Sequence, residues 1–198
     1  MNWMKKVAVA LVCLLPLGLQ AAKVDTLQVK SPSMNKSIEV VVVSPDMAAT
    51  EACPVIYLLH GYGGNARTWV GIKPDLPKIA DEKGIFFVCP DGKNTWYWDS
   101  PLNADVRYET FISDELVKYV DSHYKTVADR KGRAITGLSM GGHGAMWNGL
   151  RHSDVFSAAG STSGGVDIRP FPKNWEMSVQ IGEKAKYPEN WEKYTVIN

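Results

Sequence analysis

Residues 133–145 read Arg133-Ala134-Ile135-Thr136-Gly137-Leu138-Ser139-Met140-Gly141-Gly142-His143-Gly144-Ala145, and this stretch decides the fold. Apolar residues lead into a serine framed by Gly137 and Gly141 in a Gly-x-Ser-x-Gly arrangement, and small residues after it open a helix. The pattern is a strand, a sharp turn and a helix. Such a turn forces the serine backbone into a strained conformation and pushes its hydroxyl out at the end of a sheet. Side chains at either framing glycine would collide with the neighbouring strand and helix. The helix beyond the turn points its N-terminal amides, which carry partial positive charge, at any oxyanion formed beside the serine. Ser139 is therefore the candidate nucleophile and the Met140 N–H a candidate oxyanion donor.

A tetrahedral intermediate needs two converging donors, and the second comes from the loop after a neighbouring strand. Leu58-Leu59-His60-Gly61-Tyr62-Gly63-Gly64-Asn65 has that form, with glycines that let the backbone approach a substrate and Tyr62 N–H as the donor. Working outward, residues 24–29 and 38–43 read as two antiparallel edge strands. Residues 54–59 and 85–88 read as continuous apolar strands buried on both faces. Helices are expected over 74–83, stopped by Gly84, over 107–124 and over 140–151. A further strand is expected over 155–160 and a helix around 175–181. Strands alternating with helices imply one α/β domain, a mainly parallel sheet flanked by helices, with its site at the carboxyl ends of the strands.

These motifs resemble the esterase D and antigen 85 group of α/β-hydrolases, whose members include tributyrin esterase, feruloyl esterase and S-formylglutathione hydrolase relatives. The resemblance rests on residues 58–64, on Pro90-Asp91-Gly92, on Trp96-Tyr97-Trp98-Asp99-Ser100-Pro101, on residues 108–112 and on residues 137–145. It implies an α/β-hydrolase fold and a serine carboxylesterase with Ser139 as nucleophile and the Tyr62 and Met140 amides as oxyanion hole. It also sets Trp96, Trp98 and Asp99 beside the substrate. On the residues alone, the aromatic loop serves equally well as a pocket wall or a core cap, and turn capping is the commoner use of an Asp such as Asp99.

The base is the expectation that fails. In this fold the order is serine, then an acid, then histidine on loops after later strands, and only 59 residues follow Ser139. His60 is expected to anchor the oxyanion loop, and His143, His152 and His123 belong to helices that aim them elsewhere. Asp154 and Asp167 follow the elbow, but neither is taken as the acid. The expected domain therefore lacks its last strands, is incomplete at the C-terminus, and turns over weakly or not at all. Two other functions stay open: a non-catalytic binding module for carbohydrate esters that uses the Trp96 to Trp98 loop, and an acyltransferase of the same fold.

Composition bounds the rest. Residues 1–22 read as a signal peptide, with Lys5 and Lys6 ahead of an apolar run that Pro16 and Gly18 interrupt, and with small residues at its end. The remaining 23–198 form the domain, exported to the periplasm or medium with no stable membrane anchor after cleavage. Of 22 basic residues, removal of Lys5 and Lys6 leaves 20 against 21 acidic. Such a near-neutral balance gives no reason to expect a nucleic-acid partner. A small-molecule or carbohydrate ester is the expected substrate. No cofactor or metal motif is present. Cys53 and Cys89 are expected as buried free thiols, since they fall at opposite ends of neighbouring strands roughly 15 to 20 Å long, beyond the ~7 Å reach of a bridge.

Overall fold

The computed structural model describes residues 22–197; all but the last residue of the expected signal peptide lies outside them. The sheet has six strands in the order β1-β2-β4-β3-β5-β6: β1 Lys23–Ser31, β2 Lys36–Ser44, β3 Val55–Leu59, β4 Phe86–Pro90, β5 Arg133–Gly137 and β6 Ala158–Ala159. The pairings β1–β2 and β2–β4 are antiparallel, whereas β4–β3, β3–β5 and β5–β6 are parallel. Only β1 of the first two strands lies at an edge. Val40 to Val43 of β2 are all fully buried between β1 and β4, which corrects the expectation of two edge strands.

Strand side chains alternate between two apolar layers. Val40, Val42, Tyr57, Leu59, Phe86, Val88 and Ile135 face one of them. Helices α3 (Tyr108–Thr110), α4 (Leu116–His123), α5 (Met140–Arg151), α6 (Met177–Ile181) and α7 (Pro188–Lys193) contribute to that layer. Val41, Val43, Leu58, Phe87 and Cys89 face the other, covered by α2 (Leu76–Lys83) and by Trp69 and Val70 of α1 (Thr68–Ile72). A sheet covered on both faces explains why its central strands are apolar throughout.

Local chemistry sets the element ends. Helix α2 stops at Gly84, which adopts a left-handed φ of 63°. The helix expected over 107–124 contains a π-helical stretch, Phe111–Glu115, between α3 and α4. The strand expected over 155–160 shrinks to two residues, because Val155 and Phe156 still donate to the carbonyl of His152 at the end of α5. Helix α7 was not expected; it docks through Trp191, which is fully buried and donates Nε1–H to the Gly182 carbonyl at 2.9 Å. Cys53 and Cys89 are both buried and free, as expected.

Candidate active site

The elbow is built by three backbones in contact. Gly137 ends β5 opposite Leu59 of β3. A Cβ on Gly137 would lie 2.3 Å from the Gly141 carbonyl oxygen, and a Cβ on Gly141 would lie 2.1 Å from that of Leu59. Only glycine fits at either position. Between them Ser139 adopts φ 54° and ψ −117° immediately before α5, a conformation that costs on the order of 1–3 kcal/mol for a non-glycine residue. Its backbone N–H donates to the Thr162 carbonyl at 2.8 Å, and its carbonyl accepts from His143 N–H at 3.0 Å. The side chain caps nothing and is exposed.

The loop after β3 packs directly on this turn. A Cβ on Gly61 would lie 3.5 Å from that of Ser139 and 3.4 Å from the Leu138 carbonyl. Among the described residues neither Tyr62 N–H nor Met140 N–H donates to a protein acceptor. Gly63 N–H is occupied by Asn94 Oδ1 at 2.9 Å and Gly64 N–H by the Gly61 carbonyl at 3.0 Å. His60, buried beneath the loop, accepts from Gly92 N–H through Nε2 at 2.9 Å and donates from Nδ1 to the Gly61 carbonyl at 2.7 Å. That arrangement fixes a neutral tautomer and ties the loop to the segment after β4. Asp91, next to Gly92, would be raised by its burial, but hydrogen bonds from the Lys93 backbone N–H and ammonium, together with the charge of that ammonium, bring its pKa down to about 2.

Ser139 opens onto a cleft of about 270 Å³ lined by Tyr62, Trp96, Ser163, Ile168, Phe171 and Trp175, among others. Trp96, Ser139, Ser163 and Trp175 all hold positive φ, so backbone strain is concentrated on the cleft, as it is at functional sites. Of the three substrate-side candidates, Trp96 alone lines the cleft. Trp98 is fully buried and donates Nε1–H to His143 Nε2 at 2.9 Å. Asp99 accepts from the backbone N–H of Thr110 at 3.0 Å and from its hydroxyl at 2.5 Å, capping the first turn of α3. Both are corrections to the expected substrate contacts. Core packing takes the Trp98 indole, in a stretch where Trp96 and Tyr97 both hold φ 60° and all three aromatic side chains are buried. The same burial removes the exposed aromatic platform on which the binding-module alternative relied.

Ser163, Ile168, Phe171 and Trp175 were not foreseen as cleft residues. They come from the irregular stretch between β6 and α6, and no spacing rule links such a stretch to Ser139. Asp167 also borders the cleft, but its carboxylate is held by Arg169 in a fork at 2.8 and 2.9 Å. That fork holds the carboxyl below the usual range.

Each of the four imidazoles hydrogen-bonds to something other than Ser139. His143 is fully buried, donates Nδ1–H to the Gly165 carbonyl at 2.6 Å and accepts from Trp98; burial lowers its pKa to about 4. His152 meets Glu109 at 2.9 Å and is raised chiefly by that hydrogen bond. His123 bonds the carbonyl of Tyr119 at 2.8 Å. His152 directly follows α5, and His123 is the last residue of α4. Among the described residues no cluster of His, Cys, Asp or Glu is placed to hold a metal, and no helix is long and apolar enough to cross a membrane.

A mixed sheet with a strained serine at a strand-to-helix crossing and an amide-lined loop beside it defines the α/β-hydrolase class. The chain belongs to the Esterase family, described as "Putative esterase", whose model matches residues 31–196. It is 30% identical over 149 residues to Esterase Rv1288 of Mycobacterium tuberculosis (strain ATCC 25618 / H37Rv), covering 72% of this chain and 32% of that protein. Among solved structures, it superposes on a ferulic acid esterase with TM-score 0.68 and 30% identity, covering 88% of this chain and 71% of that one. The S-formylglutathione hydrolase from Agrobacterium tumefaciens shares the fold, with TM-score 0.74, 22% identity and coverage of 89% and 69%. The chain thus spans about a third of the length of that mycobacterial relative.

Proposed function

We propose that the chain is an exported serine carboxylesterase in which Ser139 attacks the carbonyl of an ester. The oxyanion is received by the N–H groups of Tyr62 and Met140, and the resulting acyl-enzyme is resolved by water. The observation that carries this is Ser139 itself. It is the exposed, strained residue at the start of α5, with two amides beside it that donate to no protein group. Strain at an exposed serine has no packing benefit, and the glycines that enforce it leave no alternative conformation. The family and the names of its relatives support a carboxylic ester as the substrate. The cleft, walled by Trp96, Ile168, Phe171 and Trp175, suits an apolar or aromatic acyl group of modest size.

Among the described residues every imidazole is hydrogen-bonded to a group other than Ser139, so catalysis by residues 22–197 alone is expected to be slow. An elbow and oxyanion hole alone retain on the order of 10³-fold acceleration in proteases with a disabled triad. The test is covalent labelling. A fluorophosphonate probe is expected to mark the wild-type chain on the peptide containing Ser139 and to leave Ser139→Ala unmarked; equal labelling of the two proteins refutes the assignment. Export is tested by sequencing the N-terminus of protein recovered from outside the cytoplasm, which is expected to begin near Lys23.

A further inference from the structure

The Tyr62 amide sits in a tight turn that is fixed from outside. Gly61 to Gly64 close on themselves through the Gly64 N–H, which donates to the Gly61 carbonyl at 3.0 Å. Gly63, third in the turn, holds φ 75°, and Tyr62 before it has no positive φ, which makes this a type II turn. A trans peptide unit is planar, with its C=O and N–H pointing opposite ways. The Gly61 carbonyl accepts from His60 Nδ1 at 2.7 Å as well as from Gly64. The Tyr62 N–H belongs to the same peptide unit, so it is turned away from both of these donors. The next unit carries the Gly63 N–H, which donates to Asn94 Oδ1 at 2.9 Å. Type I and type II turns differ by rotation of this central unit, so the Asn94 contact selects the form observed.

Packing does little to hold the tip of this loop. Tyr62 and Gly63 are exposed, and a Cβ on Gly63 would meet nothing within 4 Å. Asn94, by contrast, stands in a segment that is itself held. Lys93 N–H donates to Asp91 Oδ1 at 2.9 Å, the Thr95 hydroxyl donates to the Gly92 carbonyl at 2.6 Å, and Gly92 N–H bonds His60 Nε2 at 2.9 Å. Residues 91–95 thus hold the oxyanion loop at both ends, its root through His60 and its tip through Asn94. From these contacts we propose that Asn94 is a positioning residue of the oxyanion hole. By accepting the Gly63 N–H it keeps the turn in the form that presents the Tyr62 amide to the carbonyl under attack, and it acts through Tyr62 rather than on the substrate. The proposal rests on the reading of Ser139 as nucleophile and Tyr62 as donor, and adds the side chain that sets the donor's place.

The experiment follows fluorophosphonate labelling of Ser139 in the full chain against probe concentration, with urea unfolding run on the same proteins to establish that they are folded. Asn94→Ala is expected to lower the limiting rate between about tenfold and a hundredfold, less than outright loss of a donor costs. The half-saturating concentration is expected to stay where it is, because the oxyanion is met only in the transition state. Asn94→Asp keeps an acceptor oxygen at the same place and is expected to restore most of the rate. Gly63→Ala places its Cβ in open space but opposes the positive φ of the turn. It is expected to slow labelling in the same way, and carries the test if Asn94→Ala does not fold. An unchanged limiting rate in the folded variant, a shift in the half-saturating concentration that accounts for the slowing, or an Asn94→Asp rate as low as that of Asn94→Ala overturns the proposal. In each of these cases labelling of the wild type at Ser139 keeps the serine-esterase reading, whereas no labelling of the wild type removes both.

Discussion

Lowering the pH should loosen the cleft through His143. Its Nε2 accepts the Trp98 indole N–H and its Nδ1 donates to Gly165, so a proton on Nε2 would set two N–H groups against each other inside the core. Burial is the larger cause of its low pKa, and the Gly165 hydrogen bond opposes it only in part. A folded-state pKa depressed from 6.5 to about 4 means that the unfolded chain binds the proton first. The stability is fully present above 6.5, declines as pH falls through the interval, and levels off below the folded value. At about 1.4 kcal/mol per pH unit, and with half the folded molecules protonated at the lower limit, the loss from neutral to about pH 4 is about 3 kcal/mol. Other carboxylates titrate in the same range, so the measurement is a difference. Urea unfolding followed by tryptophan fluorescence is run at successive pH values on the wild type and on His143→Gln, whose amide retains one acceptor and one donor. The wild type's advantage at neutral pH is expected to shrink by about 3 kcal/mol toward pH 4. A difference that does not change with pH would show that His143 is not held neutral by its surroundings, and would remove it as a fixed strut of the site.

Gly141→Ala sets a Cβ 2.1 Å from the Leu59 carbonyl oxygen, against backbone that cannot rotate away. The expected loss exceeds the ~1–3 kcal/mol of ordinary overpacking, seen as a fall in melting temperature, whereas Gly71→Ala, with nothing within 4 Å, stays within about 0.5 kcal/mol. Cys53 and Cys89 are buried, and burial raises both thiol pKa values; neither is expected to react with a disulfide reagent until denaturant is added. Glu109 accepts from the Trp147 indole at 2.7 Å and from His152 at 2.9 Å. Glu109→Gln is therefore expected to bring the His152 pKa down toward 6.5 by NMR titration, and to remove stability that the pair supplies below that value and loses as pH rises through the raised one.

Sequence and structure agree where one local rule fixes the outcome. The glycine frame around Ser139 and the small residues after it predicted α5 over 140–151, and the helix runs over Met140–Arg151. The uninterrupted apolar runs at β3 and β4 announced strands covered on both faces. Agreement fails where a segment is decided by distant partners. The π-helical turns at Phe111–Glu115 keep the apolar spacing of an ordinary helix over so short a run that sequence does not separate the two. Helix α7 has a single fully buried indole, Trp191, to mark it, and the partner of that indole is the Gly182 carbonyl. Trp96 and Trp98 share composition and neighbourhood, yet one borders the cleft and the other fills the core; the positive φ of Trp96 and of Tyr97 between them has no marker such as glycine.

The two imidazoles nearest Ser139 show why a histidine close to a nucleophile is not thereby its base. Each is a neutral strut with one nitrogen donating and the other accepting. His60 joins the oxyanion loop to the segment after β4, and His143 joins α5 to Trp98 and Gly165. A general base needs a lone pair free to face the serine and an imidazolium that its surroundings tolerate. A strut commits that lone pair, and at His143 the core rejects the cation. The rigidity that these rings give to the oxyanion loop and to α5 therefore comes from the same lone pairs that catalysis would use. Freeing either one for Ser139 would slacken the frame that holds the serine strained, so substitution at His60 or His143 is expected to lower reactivity at Ser139 by moving the oxyanion amides rather than by removing a proton acceptor. A pH profile of acylation that keeps its slope while its level falls distinguishes that outcome from loss of a base, which would change the slope.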